Sequence, residues 1–143
     1  GDMKLDDLLD EFNGLDPEER LELLIDFAET LPKLSSEHEA LRQLGDCRVQ
    51  ECQTPVFLWV DVIDGRVRLA AHVPEKSPTV RGFLAMLVEG LSGETPETVE
   101  SLSDDIVTRL GLQDALGMTR QRGFKGIVSR IKHQVAQAAA RSA

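Results

Sequence analysis

Hydrophobic positions along this chain recur in two rhythms, and the change of rhythm predicts its organisation. Leu5, Leu8, Leu9 and Phe12 repeat at helical spacing and stop near Gly14. Asp16-Pro17-Glu18-Glu19 then reads as a helix start, with Asp16 as cap, Pro17 at the first helical position and Glu19 placed for a capping box. Leu21, Leu24, Ile25 and Ala28 share one face of that second helix, which should end before Pro32. From Pro32 to Glu51 the periodicity weakens. Ser35, Ser36, Gly45 and Asp46 mark a loop there, with a short helical turn around Glu39 to Leu44.

The rhythm then shortens. Val56 to Ile63 is an apolar strand with Trp59 inside it, Asp64-Gly65 is a hairpin turn, and Arg66-Val67-Arg68-Leu69 alternates as a half-buried return strand, extended by His72-Val73. Pro74 and Pro78 bracket a turn before a helix from about Thr79 to Gly90, whose Val80, Phe83, Leu84, Leu87 and Val88 form a broad apolar face. Thr95-Pro96 and Ser103 begin two short helices, the second closed by Gly111. Thr119 is expected to cap a long last helix that turns Phe124, Ile127, Val128, Ile131 and Val135 inward. Helices, a hairpin, then helices predict an α+β fold: a small antiparallel sheet packed with several helices, in one domain spanning 3–143.

Charge sharpens this picture. The chain of 143 residues has a net charge of −9, unevenly spread. Residues 1–46 hold fourteen acids against four bases, whereas residues 119–143 hold six bases and no acid. A basic end could serve nucleic acid or could face the acidic start. With an acidic whole and Phe124 as the lone aromatic among those bases, a nucleic-acid partner is not expected. Apolar runs are too short to span a bilayer, so no membrane partner is expected either. Two cysteines do not make a disulfide framework, which points to the cytoplasm as compartment.

The chemistry-bearing stretch is Cys47-Arg48-Val49-Gln50-Glu51-Cys52-Gln53-Thr54-Pro55, at the mouth of the apolar strand. Cys52 is a candidate reactive thiol held at a loop tip by a rigid sheet, although a free cysteine is also read as a small packed hydrophobe. Phosphate loops, His-Glu-x-x-His and calcium-loop patterns do not occur. Cys47 and Cys52 with His38 or His72 lack a tight metal-ligand spacing, so no metal is expected. His38, His72 and His133 read as solvated or ordinary surface residues. A Cys52–His72 pair across the hairpin mouth and a Cys47–Cys52 disulfide stay open as alternatives.

Five segments in order resemble the SufE family: Cys52-Gln53-Thr54-Pro55-Val56-Phe57-Leu58, Thr79-Val80-Arg81-Gly82-Phe83-Leu84, Leu91-Ser92-Gly93-Glu94-Thr95-Pro96, Leu110-Gly111-Leu112, and Met118-Thr119-Arg120-Gln121-Arg122-Gly123-Phe124. The similarity spans nearly the whole chain. It implies a sulfur acceptor of iron–sulfur cluster assembly with the α+β fold shared with the scaffold protein IscU. Such a protein takes persulfide sulfur from a PLP-dependent, SufS-like cysteine desulfurase, stimulates that enzyme, and passes sulfur to a SufBCD-like scaffold complex. It carries no cofactor of its own, and homodimerisation is left open.

The resemblance further implies Cys52 as acceptor and Arg120, expected in the turn before the last helix, as a desulfurase-docking residue, with Glu51 and Gln53 beside the thiol at the partner surface. Three positions depart from the family pattern. Glu51 stands where glycine is common and would oppose thiolate formation unless Arg120 or Arg48 offsets it. Thr54-Pro55 stiffens the loop, and Lys76 replaces a frequent acidic residue. Two other classes remain: a thiol redox protein pairing Cys52 with Cys47, and a non-catalytic interaction module.

Overall fold

The structure, a computed structural model, describes residues 3–49, 54–103 and 106–142. The first helices follow their local signals. α1 covers Lys4–Asp10, and α2 covers Pro17–Phe27 before a single 3-10 turn, Ala28–Thr30, releases the chain at Leu31. Both halves of the capping box form: Glu19 N–H donates to Asp16 Oδ1 at 2.8 Å and Asp16 N–H to Glu19 Oε1 at 3.0 Å. Two orphan amides at the helix start are thereby satisfied.

The segment expected to be a loop with one helical turn is instead a helix, α3, Ser36–Gln43. Ser35 caps it by accepting from His38 N–H at 3.1 Å, yet none of its side chains is buried. Ala40 and Leu41 are its only apolar residues, so it offers no broad apolar face to read. What fixes α3 is its cap and a stacking contact with the sheet, described below.

β1, Phe57–Ile63, and β2, Arg66–His72, form an antiparallel hairpin in which Ile63 faces Arg66 across Asp64-Gly65. Both turn residues have positive φ, 54° and 74°, as a two-residue turn matching strand twist requires. Leu58 opposite Ala71, Val60 opposite Leu69 and Val62 opposite Val67 share the inner face, while Phe57, Trp59 and His72 share the outer one. A bridge from Arg48 to Phe57 adds a short third segment beside β1.

α4, Pro78–Leu91, is the central element and is buried almost all round. It packs on α1, α2 and β2, and α7, Met118–Ser142, packs on β1. Phe83 of α4 stacks on Phe124 of α7 with ring centroids 4.0 Å apart, which joins the two helices beneath the hairpin. The short helices α5, Pro96–Glu100, and α6, Ile106–Leu110, close the end. One cluster of buried side chains runs from Leu5 to Val135 through all of these layers except α3.

One expectation needs correction. α7 starts at Met118, with Gln121 N–H reaching Gly117 O at 3.0 Å, so Thr119 lies inside the helix and Arg120 in its first turn. Of the acidic start, Asp6 and Asp10 meet Arg109 of α6, at 2.7 and 3.8 Å, while Glu37 of α3 and Arg141 of α7 line one cavity.

Candidate functional site

Cys52, with its neighbours Glu51 and Gln53, lies outside the described residues, and so do the pairings suggested for it with His72 and Cys47. The two sides of that connection are well defined. Val49 N–H donates to Val56 O at 2.8 Å, and Leu58 N–H donates to Cys47 O at 3.0 Å. Val49 and Val56 are both fully buried. Burial of two β-branched side chains at paired positions, with the backbone bonded between them, closes the base of the 50–55 connection. Thr54 is half-buried and Pro55 exposed, so the chain enters β1 from the solvent side.

The first side of the base is shaped by unusual backbone. Gly45 and Cys47 have φ of 81° and 59°, two left-handed residues around Asp46. Asp46 Oδ2 accepts from Trp59 Nε1–H at 3.3 Å and from the Cys47 thiol at 3.3 Å. On its other side Trp59 carries the His38 ring from α3, with centroids 4.9 Å apart and planes 26° apart. Phe57 continues the row at 6.3 Å from Trp59 and 6.1 Å from His72. His38 and His72, both half-buried, are thus surface residues that belong to an aromatic layer on the outer face, and His133 lies exposed on α7.

Cys47 is a free thiol, half-buried. Burial, and then the hydrogen bond and charge of Asp46, push it up to about 11, while Arg130 pulls in the other direction. At neutral pH it is a protonated thiol. It lines a cavity of about 320 Å³ between α3, β1 and α7, together with His38, Trp59, Asp61, Gln134 and Arg141. His72 is held below the usual histidine value, first by burial and then by Arg42 and Arg81, against the pull of Glu39. Glu39 and Arg42 form a charge-assisted pair on α3. Among the described residues no group of three or more His, Cys, Asp or Glu side chains is placed to hold a metal. No helix among them is long and apolar enough to cross a membrane.

Arg120 is exposed in the first turn of α7. The base whose charge acts on Cys47 is Arg130, ten residues further along, about 15 Å down the helix axis. Asp46, Trp59, His38 and Arg130 were not singled out from the sequence as site residues. The one usable signal was that Trp59 is the sole tryptophan, placed one strand residue from the family motif.

Several motif residues owe their positions to packing. Arg81 donates to Ala28 O at 3.1 Å and Val73 O at 2.7 Å, tying α4 to the end of α2 and to β2. Beside it, a side chain at Gly82 would sit 1.9 Å from Leu24 O, so only glycine permits this approach of α2 to α4.

Comparison with known proteins completes the assignment. The family model of the SufE Fe-S metabolism associated domain matches residues 6–135. A SufE-like protein of Mycobacterium tuberculosis is 35% identical over 135 residues, covering 94% of this chain and 92% of its own. One from Synechocystis is 30% identical over 112 residues, covering 78% and 67%. The solution structure of a hypothetical protein from Thermus thermophilus superposes with a TM-score of 0.79 at 36% identity, covering 96% of both chains. This chain therefore belongs to the SufE family, with a general role in accepting and transferring sulfur in Fe–S metabolism.

Proposed function

We propose that this protein accepts persulfide sulfur on Cys52 from a PLP-dependent cysteine desulfurase, stimulates that enzyme by emptying it, and delivers the sulfur to an Fe–S scaffold complex. The observation that carries the reading is the family match over residues 6–135, a span that includes Cys52. The fixed base of the 50–55 connection supports it, since a sulfur acceptor needs a thiol presented on a rigid mount.

The chemistry balances without an added oxidant or metal. The Cys52 thiolate attacks the outer sulfur of the desulfurase persulfide, a new S–S bond forms on Cys52, the old one breaks, and the desulfurase cysteine leaves as thiolate. Attack by a final thiol or by the scaffold reverses the roles. Arg120, exposed at the head of α7, serves as a docking cation for the desulfurase, with Glu51 and Gln53 at the contact. We place the reaction in the cytoplasm, where thiols stay reduced.

A redox reading that pairs Cys52 with Cys47 is disfavoured by the environment of Cys47. A thiol pushed up to about 11 is almost wholly protonated at neutral pH and makes a slow resolving nucleophile. Intact-mass analysis after mixing with a desulfurase, PLP and cysteine tests the proposal. The chain should gain sulfur-sized, reductant-reversible increments that disappear in Cys52→Ser and persist in Cys47→Ser. Absence of any increment, or its transfer to Cys47, would overturn it.

A further inference from the structure

The helix that leads into the acceptor connection cannot hold it by packing. α3 buries no side chain, and the residues after it, Leu44 and Gly45, are exposed. The chain then passes Gly45, whose positive φ suits the end of α3, and Cys47, a non-glycine left-handed residue whose conformation persists only where neighbouring contacts hold it. Between them stands Asp46, whose Oδ2 accepts from both Trp59 Nε1–H and the Cys47 thiol. Trp59 is itself anchored: it pairs with Ala70 in the hairpin, is only 5% exposed, and stacks with the His38 ring.

We infer that Asp46 is a positioning residue for sulfur transfer, a latch that fastens the arm 46–49 to Trp59 and so sets where the Cys52 connection begins. The inference rests on Cys52 being the acceptor. The route is short and continuous. Asp46 accepts from the Cys47 thiol; Cys47 O accepts from Leu58 N–H at 3.0 Å; Val49 N–H, three residues before Cys52, donates to Val56 O at 2.8 Å. Without the latch the register of the arm on β1 rests on those two backbone bonds and the buried Val49 side chain alone. A slip of one residue would turn Val49 out of the core and carry Cys52 to another position. Group transfer between two thiols is sensitive to such displacement, because the attacking sulfur must approach along the S–S axis. The Asp46 side chain faces solvent, so the latch is reversible rather than permanent.

The test uses the full chain and the variants Asp46→Ala, Asp46→Asn and Trp59→Phe. Amide hydrogen exchange at Val49 and Leu58 reads the arm directly. Steady-state sulfur uptake from a desulfurase, PLP and cysteine reads its consequence. Asp46→Ala and Trp59→Phe should speed exchange at both amides about fivefold or more. They should also lower kcat for uptake by about fivefold with KM unchanged, because the docking surface is intact while the thiol is misplaced. Asp46→Asn keeps an oxygen facing the indole N–H and should stay within about twofold of the wild type on both readouts.

Unchanged exchange in Asp46→Ala overturns the latch, as does wild-type uptake by that variant. Equal impairment in Asp46→Asn overturns it too, since bare charge would then be what matters. Wild-type protein that takes up no sulfur overturns the acceptor reading itself, a result distinct from equal uptake by wild type and Asp46→Ala.

Discussion

Val49 and Val56 face each other across a 2.8 Å backbone hydrogen bond, both fully buried, on either side of the connection that holds Cys52. The connection that holds Cys52 therefore leaves and re-enters the described structure at two residues of the hydrophobic core. Val49→Ala and Val56→Ala should each cost about 2 kcal/mol, from lost transfer free energy plus a small cavity. Urea unfolding checks this through a lower midpoint at unchanged slope. Both variants should also slow sulfur uptake, which separates a mount from an ordinary core position.

Gly82 gives the sharpest stability test. An added methyl group would meet the Leu24 carbonyl oxygen, which is backbone and cannot swing aside. Gly82→Ala must therefore push α2 away from α4 through the centre of the core. A loss of roughly 3 kcal/mol is expected, and with it a fall in Tm of about 10 °C by thermal unfolding. Little change would mean that the two helices can part without cost.

Where the determinants are local, the fold could be read in advance. Asp16 and Glu19 are three residues apart, Asp64-Gly65 is a two-residue turn, and both formed as their chemistry demands. α3 could not be read, because its support is Ser35 at one end and a ring from another part of the chain, with no buried stripe. The site divides in the same way. Cys52 and Arg120 were found through family likeness, while Asp46 and Trp59 are thirteen residues apart and meet only once the arm folds back on β1. Arg81 and Gly82 belong to the segments that carried the likeness, and their contacts tie α4 to α2 and β2.

Arg120 should be separable from the fold. It is exposed in the first turn of α7, where a substitution costs within about 0.5 kcal/mol. Arg120→Ala should leave Tm unchanged and raise the KM for desulfurase-driven sulfur uptake several-fold, with a smaller change in kcat. The effect should shrink at high salt, as expected of a solvent-exposed docking charge. A Tm shift in its place would make Arg120 a helix-start residue and nothing more.

His72 predicts the acid side of the stability profile. Its folded pKa lies below the ordinary 6.5 because burial, Arg42 and Arg81 oppose the charged ring. Below pH 6.5 the unfolded chain binds a proton that the folded chain resists, so stability falls with falling pH. His72→Gln should flatten the profile from pH 6.5 downward while leaving stability at pH 8 nearly unchanged. Chemical denaturation across that range checks it, and an unaltered slope in the variant would assign the acid sensitivity elsewhere.

Cys47 sets the alkaline side, with the opposite sign. Its thiol is pushed from 9.0 up to about 11, first by burial and then by Asp46. Between those values the unfolded chain loses a proton that the folded chain retains, so stability declines as pH rises from 9 to 11. Cys47→Ser should remove that decline. The same shift makes Cys47 a poor nucleophile at neutral pH, so alkylation by iodoacetamide in the native protein should be slow at pH 7 and accelerate only near pH 11. Peptide mapping resolves the two cysteines in one experiment. Rapid labelling of Cys47 at pH 7 would show that Asp46 and burial do not protect it, and would restore it as a partner thiol for Cys52.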